Sequence, residues 1–439
     1  MRIGVAARLS ASDGGRYQYS LAILEALEDW NNSTGYRDEL VLVTSEIDHP
    51  IARRLEGKGW SIAPMPAWSR GVSGLGKISA VLRNLAGDKL AWAIYRHVRP
   101  IDLDDGAVRP AAYEYLRDLK VDLMLYANAT PLSYWGGIPF LMAVLDIQHR
   151  LNPQFPEVGA NGQWEGRERL YRNAARSQVL VGLLSDFETG KEDILDAYGP
   201  YGLTRDKVKV LPLTVPPYLR QATVDEIDRA KRKYRLPERY LFYPAQYWPH
   251  KNHGAIIEAL HIIKQQRGLR VSAVFSGSHE GRLRTTNYRR LLALARRLGI
   301  EDQARFIGYV ADDDMGALYS GAVALVMPTY FGPTNIPVVE AWQCGCPVIT
   351  SDIRGIREHA GEAAILVRPD SAQSIAEGIV NVWTDERLRD SLRTRGLRRV
   401  AEYTADDFKK RLITILQEAR ASVSHSRAEG RVAARPINR

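Results

Sequence analysis

From Val323 to Asp352 the chain reads VALVMPTYFGPTNIPVVEAWQCGCPVITSD, and few folds accept that order. An apolar run is followed by a turn dense in Gly and Pro, then a short helix opening at Pro337. Proline suits the first helical position, where its missing N–H has no intrahelical partner, and Gly345 stands where the helix stops. A second apolar run, Pro347 to Thr350, follows at once. This strand, turn, helix, strand unit builds a parallel sheet. The backbone N–H groups of Thr334, Asn335 and Ile336 point out of the helix N-terminus, where the macrodipole favours an anion such as phosphate. Many such turns bind nothing, so the local pattern admits a plain connection as well. Glu340 is read as lying in the helix's first turn, either as a dipole partner or as an acceptor for the two hydroxyls of a nucleotide ribose.

The same alternation fills the chain. Ile3 to Ala7 leads through a loop ending in Gly14 and Gly15 to a helix with Ile23, Leu24 and Leu27 on one face, and Leu40 to Thr44 is a second strand. The glycine pair permits close approach by a ligand or makes an ordinary tight turn. G-x-G-x-x-G is absent, which disfavours a dinucleotide-dependent oxidoreductase. Further strands are predicted at Val121 to Tyr126, Phe140 to Leu145 and Val179 to Leu184, with Ser185 and Asp186 placed to cap the next helix. The turn after Leu145 carries Asp146, Gln148 and His149 beyond a strand's carboxyl end, where doubly wound sheets hold ligands.

Pro212, Pro216 and Pro217 mark a stiff connector. A second series then begins: a strand to about Tyr243, a helix with Ile256, Ile257, Leu260 and Ile263 buried and Gly268 past its end, and strands at Val271 to Phe275, Arg305 to Tyr309 and Ala363 to Val367. The expected domains are 1–217, with an insertion at about 61–110, and 218–400. A closing helix over 401–421, opened by Thr404 and Asp407, is expected to pack back on the first domain, and 422–439 lacks the apolar content to fold.

Charge narrows the partners. Sixty Lys and Arg against 51 Asp and Glu leave +9, enough to favour an anionic ligand or membrane face, but no basic stripe interleaved with aromatics points to nucleic acid. The segment 76–99 alternates Ile78, Leu82, Leu85 and Trp92 with Lys77, Arg83, Lys89 and Arg96, which fits a helix lying on a membrane or one covering a core. Asp102, Asp104 and Asp105 read as a solvated loop rather than a metal site. The two cysteines, Cys344 and Cys346, cannot form a four-ligand zinc site and are expected as small buried residues of a reducing, cytoplasmic protein. No apolar window reaches spanning length.

The motifs FGPTNIPVVEAWQCGCPVITSDIRGIREHAGEAAILVRP and YPAQYWPHKNH, with the Gly14 and Gly15 loop, resemble those of family 4 retaining glycosyltransferases. That resemblance covers about 1–30 and 140–420. It implies the GT-B architecture, two Rossmann-like domains facing a cleft, and a hexosyltransferase that uses a nucleotide-diphosphate sugar as co-substrate, with no metal and no further cofactor. It places Lys251 on the diphosphate with the Thr334, Asn335 and Ile336 amides, Glu340 on the ribose, and Ile307 to Tyr309 beside the base. Asp146 and His149 become candidates for sugar or acceptor contact. An acceptor saccharide or lipid-linked saccharide, in cell-surface polysaccharide synthesis at the inner membrane face, completes the expectation. Three positions depart from the pattern: Gln246 replaces an arginine, Gly332 a glutamate, and Leu145 a histidine that commonly meets the sugar 6-hydroxyl. An epimerase or phosphorylase of the same fold, or a silent nucleotide-sugar-binding subunit, is the alternative.

Overall fold

A computed structural model describes residues 1–10, 14–33, 38–70, 106–160, 162–215, 219–332 and 335–428. The chain divides into two compact units. Met1–Pro153, Gly159–Leu211 and the chain from Lys409 form the first, and Gln154–Val158 with Pro212–Phe408 form the second. The helix expected at 76–99, whether membrane-lying or core-covering, and the Asp102 to Asp105 loop lie outside the described residues. Among the described residues, no helix is long and apolar enough to cross a membrane.

The first unit is built on seven parallel strands: β1 (Arg2–Ala6), β2 (Glu39–Thr44), β3 (Ser61–Pro64), β4 (Leu123–Tyr126), β5 (Phe140–Ala143), β6 (Leu180–Ser185) and β7 (Val208–Val210). Their order is β3-β2-β1-β4-β5-β6-β7, with Ile3 opposite both Leu40 and Leu123. Strands covered on both faces have no solvent side, which is why their residues are apolar without alternation. Two edge members escape that signal. Residues 61–64 were expected to begin the insertion but pair with β2 from Val41 to Thr44, and Val208–Val210 pairs with β6 just ahead of the proline connector. Ser185 does not cap as expected: its hydroxyl oxygen accepts from the Phe187 N–H at 3.4 Å, and Phe187 is the cap residue.

The closing helix runs Ala405–Ala428. Thr404 and Asp407 exchange the reciprocal cap bonds, at 3.0 and 3.3 Å. The helix extends past residue 421 because Leu412, Ile415, Leu416, Ala419 and Val423 continue one buried stripe, so 422–428 is helix rather than unfolded tail. Its anchors in the first unit are Lys409 to Asp29 at 3.0 Å and Arg420 to the buried Asp38.

The second unit has six parallel strands: β8 (Leu241–Pro244), β9 (Ala273–Ser276), β10 (Ala304–Gly308), β11 (Ala324–Met327), β12 (Val348–Ser351) and β13 (Ile365–Val367), in the order β10-β9-β8-β11-β12-β13. The order reverses between β8 and β11, the switch point where sheets of this kind open a crevice at the strands' carboxyl ends. The core is Tyr240, Phe242, Ile256, Leu260, Phe275, Leu325, Val338 and Trp342, all nearly inaccessible. Cys344 and Cys346 are free and buried, and burial pushes the Cys344 thiol up to about 12.

Candidate nucleotide-sugar site

The crevice between β8 and β11 is bounded by two turns that hold each other. After β8 the chain forms one 3-10 turn, Pro249–Lys251, and Asn252 takes a left-handed φ of 58° before the helix His253–Arg267 starts. The His250 carbonyl accepts from the Tyr330 N–H at 2.9 Å and from the Thr329 hydroxyl at 3.1 Å. Asn252 Nδ2 donates to the carbonyls of Pro328 at 2.9 Å and Pro369 at 2.7 Å. The turn carrying Lys251 is thereby tied to the turn that feeds the helix Ile336–Gln343. Asn252→Ala removes two buried bonds and puts a Cβ residue without a compensating amide at positive φ, so a loss of about 2–4 kcal/mol is expected in urea denaturation. A loss below about 1 kcal/mol would show that these bonds do not hold the turns.

Residues 154–158 complete one wall within this unit. Glu157 Oε1 accepts from the His250 N–H at 3.0 Å and meets His250 Nδ1 at 2.5 Å. Those bonds outweigh burial and hold the Glu157 carboxyl below its ordinary range. His250 stacks on Phe331 at 4.0 Å, and Phe155 packs against Tyr330 and Phe331. No sequence signal singles out Glu157, which lies 93 residues from its partner.

The helix N-terminus departs from the simple expectation at Asn335 and Gly332. Thr334 lies outside the described residues, and Asn335 is the cap residue, with φ 38° and ψ 62°. Asn335 is 5% exposed, yet neither atom of its side-chain amide has a hydrogen-bond partner among the described residues. A buried amide left in that state is costly unless a ligand engages it. Gly332 has φ 125°, and a Cβ there would come to 2.7 Å from Asn335 Oδ1. The glutamate that the family resemblance places at 332 would have to take this left-handed φ and displace the Asn335 side chain.

Glu340 lies in the second turn of the helix and is not a dipole partner. Its Oε2 accepts from the Tyr319 hydroxyl at 2.6 Å. Burial pushes the carboxyl up to about 7; the Tyr319 bond opposes this and the charge of Asp312 adds to it. Burial, reinforced by the charge of Glu340, keeps Tyr319 protonated and therefore a donor. One lone pair of the carboxylate is engaged and others remain for neutral hydroxyls. Tyr309, just past β10, is 63% exposed. Gln246 Oε1 accepts from Trp248 Nε1 at 2.8 Å.

The first unit places its candidates differently. Gly14 has φ 59°, and its carbonyl accepts from the Tyr17 and Gln18 N–H groups, so the pair Gly14 and Gly15 opens the helix Gly15–Ser33. Asp146 accepts from Arg167 and from the Gln148 N–H, both at 3.0 Å. His149 is fully enclosed. Its Nε2 lies 3.3 Å from Glu168 and 3.2 Å from the Tyr198 hydroxyl, and Arg150 grips the same Glu168 through two bonds. Burial lowers the His149 pKa and keeps it neutral. These are the surroundings of a core histidine rather than of a sugar contact.

Two parallel-sheet Rossmann-like units give the chain the GT-B fold. Residues 224–399 match the family described as Glycosyl transferases group 1. The chain is 27% identical over 174 residues to O-antigen chain mannosyltransferase B of Escherichia coli, covering 39% of this chain and 44% of that protein. It is 29% identical over 198 residues to O-antigen chain mannosyltransferase RfbU of Salmonella typhimurium, covering 45% and 52%. The matches thus span about half of these relatives' lengths. The structure of Anabaena HepE in complex with UDP and glucose superposes with a TM-score of 0.68 at 15% identity, covering 95% of this chain and 99% of that one, a likeness of fold.

Proposed function

We propose that the chain is a metal-independent, retaining glycosyltransferase that moves a hexose from a nucleotide-sugar to a saccharide or lipid-linked saccharide acceptor, in cell-surface polysaccharide synthesis at the cytoplasmic membrane face. The observation that carries this is the bonded pair of turns after β8 and β11, which brings the Lys251 turn beside a helix N-terminus whose cap side-chain amide is buried and has no partner among the described residues. The relatives named as mannosyltransferases and the UDP and glucose of the HepE complex support a nucleotide-sugar donor.

In this reading Lys251 and the amides of Asn335 and Ile336 hold the diphosphate, Glu340 accepts from the ribose hydroxyls, and Tyr309 borders the base. The bond from the anomeric carbon to the phosphate oxygen breaks while the acceptor oxygen bonds on the same face. The leaving phosphate takes the acceptor proton, so no separate base is required. The ammonium and the helix end stabilise the charge that develops on the leaving group, the role a metal ion fills elsewhere.

The test is a thermal-shift screen against UDP, GDP, dTDP and their sugars, since a ligand that binds only the native state raises its apparent stability, followed by the anomer of the product formed from the stabilising donor. A retained anomer is expected. Epimerised nucleotide-sugar would instead favour the epimerase, and binding without hydrolysis or transfer would favour a silent subunit. Leu145, standing where the resembled pattern has a histidine for the sugar 6-hydroxyl, would suit the methyl of a 6-deoxy sugar, and preference for GDP-mannose over a 6-deoxy donor would remove that idea.

A further inference from the structure

Gln246 leaves the diphosphate end of the proposed site one fixed charge short of the pattern the chain resembles, and the structure holds a cation beside it. Trp248 connects the two. Its Nε1–H donates to Gln246 Oε1 at 2.8 Å, and its ring face carries the Arg284 guanidinium, with Cζ 4.9 Å from the ring centroid. Arg284 belongs to the first turn of the helix Arg282–Arg297, which follows β9, the hydrogen-bonded neighbour of β8.

The loop before that helix is pressed onto the Gln246 backbone. Gly277 has φ 147°, and a Cβ there would lie 2.4 Å from the Ala245 carbonyl oxygen and 3.1 Å from the Gln246 nitrogen. Asn287 Nδ2 donates to the Tyr247 carbonyl at 3.1 Å and pins the helix to the same loop. The guanidinium is therefore held by backbone geometry at the carboxyl ends of β8 and β9. Among the described residues no carboxylate pairs with it, and its Nε is buried without a hydrogen-bond partner. A guanidinium held on an indole, with its Nε–H unpartnered among the described residues, suits a phosphate, which it can bind through two parallel N–H groups.

We propose that Arg284, mounted on Trp248, binds the anionic end of the nucleoside diphosphate and supplies the positive charge that position 246 lacks. This rests on the nucleotide-sugar reading above and assigns a further residue of that site. Charge has moved from the turn after β8 to the helix after β9, with the indole as the fixed platform between them.

Titration calorimetry tests it on the full chain, with UDP, GDP or dTDP, whichever binds the wild type most tightly, and with the corresponding nucleoside. R284Q is expected to weaken the diphosphate about tenfold, to leave the nucleoside unchanged and to flatten the salt dependence. The double variant R284Q/Q246R is expected to recover most of the affinity. If R284Q does not fold, R284K carries the test, with a smaller drop, above about twofold, because the fork and the stacking are lost while charge remains. Diphosphate affinity within twofold of wild type in the folded variant overturns the role of Arg284 and leaves the nucleotide-sugar reading standing. A wild type that binds none of the three diphosphates overturns both.

Discussion

Replacing Lys251 by Ala is expected to lower transfer from the nucleotide-sugar roughly 100- to 1,000-fold while the protein stays folded. The size follows from where charge develops. As the glycosidic bond breaks, the diphosphate gains negative charge, and an ammonium beside it stabilises that state more than the bound donor. Folding is spared because the turn is fixed by its backbone. The Lys251 N–H donates to the Trp248 carbonyl at 3.0 Å, and its carbonyl accepts from the Tyr243 hydroxyl at 2.8 Å, bonds that alanine retains. The effect belongs to charge, so affinity for the nucleoside alone should not change. Single-turnover transfer and nucleoside titration, both on a variant with a wild-type urea midpoint, measure this. A wild-type rate would count against the glycosyltransferase assignment.

The sequence exposes the two sheets wherever burial is complete. Leu40 to Thr44, Phe140 to Ala143 and Ala324 to Met327 are continuous apolar runs because parallel strands with helices on both faces have no wet side. Ser61–Pro64 and Val208–Val210 belong to the same sheet yet hold too few apolar residues, and a proline in one case, to stand out from loop. The site follows a similar division. Asn335 and Glu340 sit in a local turn and helix motif, so spacing along the chain locates them, whereas Lys251 is singled out only by the resemblance of its turn to the family motif. Tyr319 with Glu340, Glu157 with His250, and Arg284 with Trp248 are brought together only by the fold. His149 shows the converse: its place after a strand looks like chemistry until the helix Gln163–Arg176 brings Glu168 against it.

Glu340→Gln is expected to make the ligand-free protein more stable at pH 8 and to cripple it as an enzyme. The carboxyl titrates near 7 in the fold against an ordinary 4.5 because burial disfavours its charge. For an acid whose folded pKa is raised, the associated stability is fully present below 4.5 and is lost as pH rises through about 7. At pH 8 the ionised side chain therefore costs the fold about 3 kcal/mol. Glutamine abolishes that term, and its carbonyl can still accept from Tyr319, so the urea midpoint should rise at pH 8 and approach the wild-type value near pH 4 to 5. Ribose binding moves the other way. A carboxylate can accept from two hydroxyls beside the Tyr319 bond, whereas the amide turns one acceptor into a donor. Nucleoside and nucleoside diphosphate should both weaken about tenfold or more, unlike the diphosphate-only effect of Lys251→Ala, and transfer should fall by orders of magnitude. Opposite signs for stability and binding in one variant would mark Glu340 as a charge kept in an unfavourable place for its ligand. A variant less stable at pH 8 with unchanged nucleoside affinity would make it a structural partner of Tyr319 and nothing more.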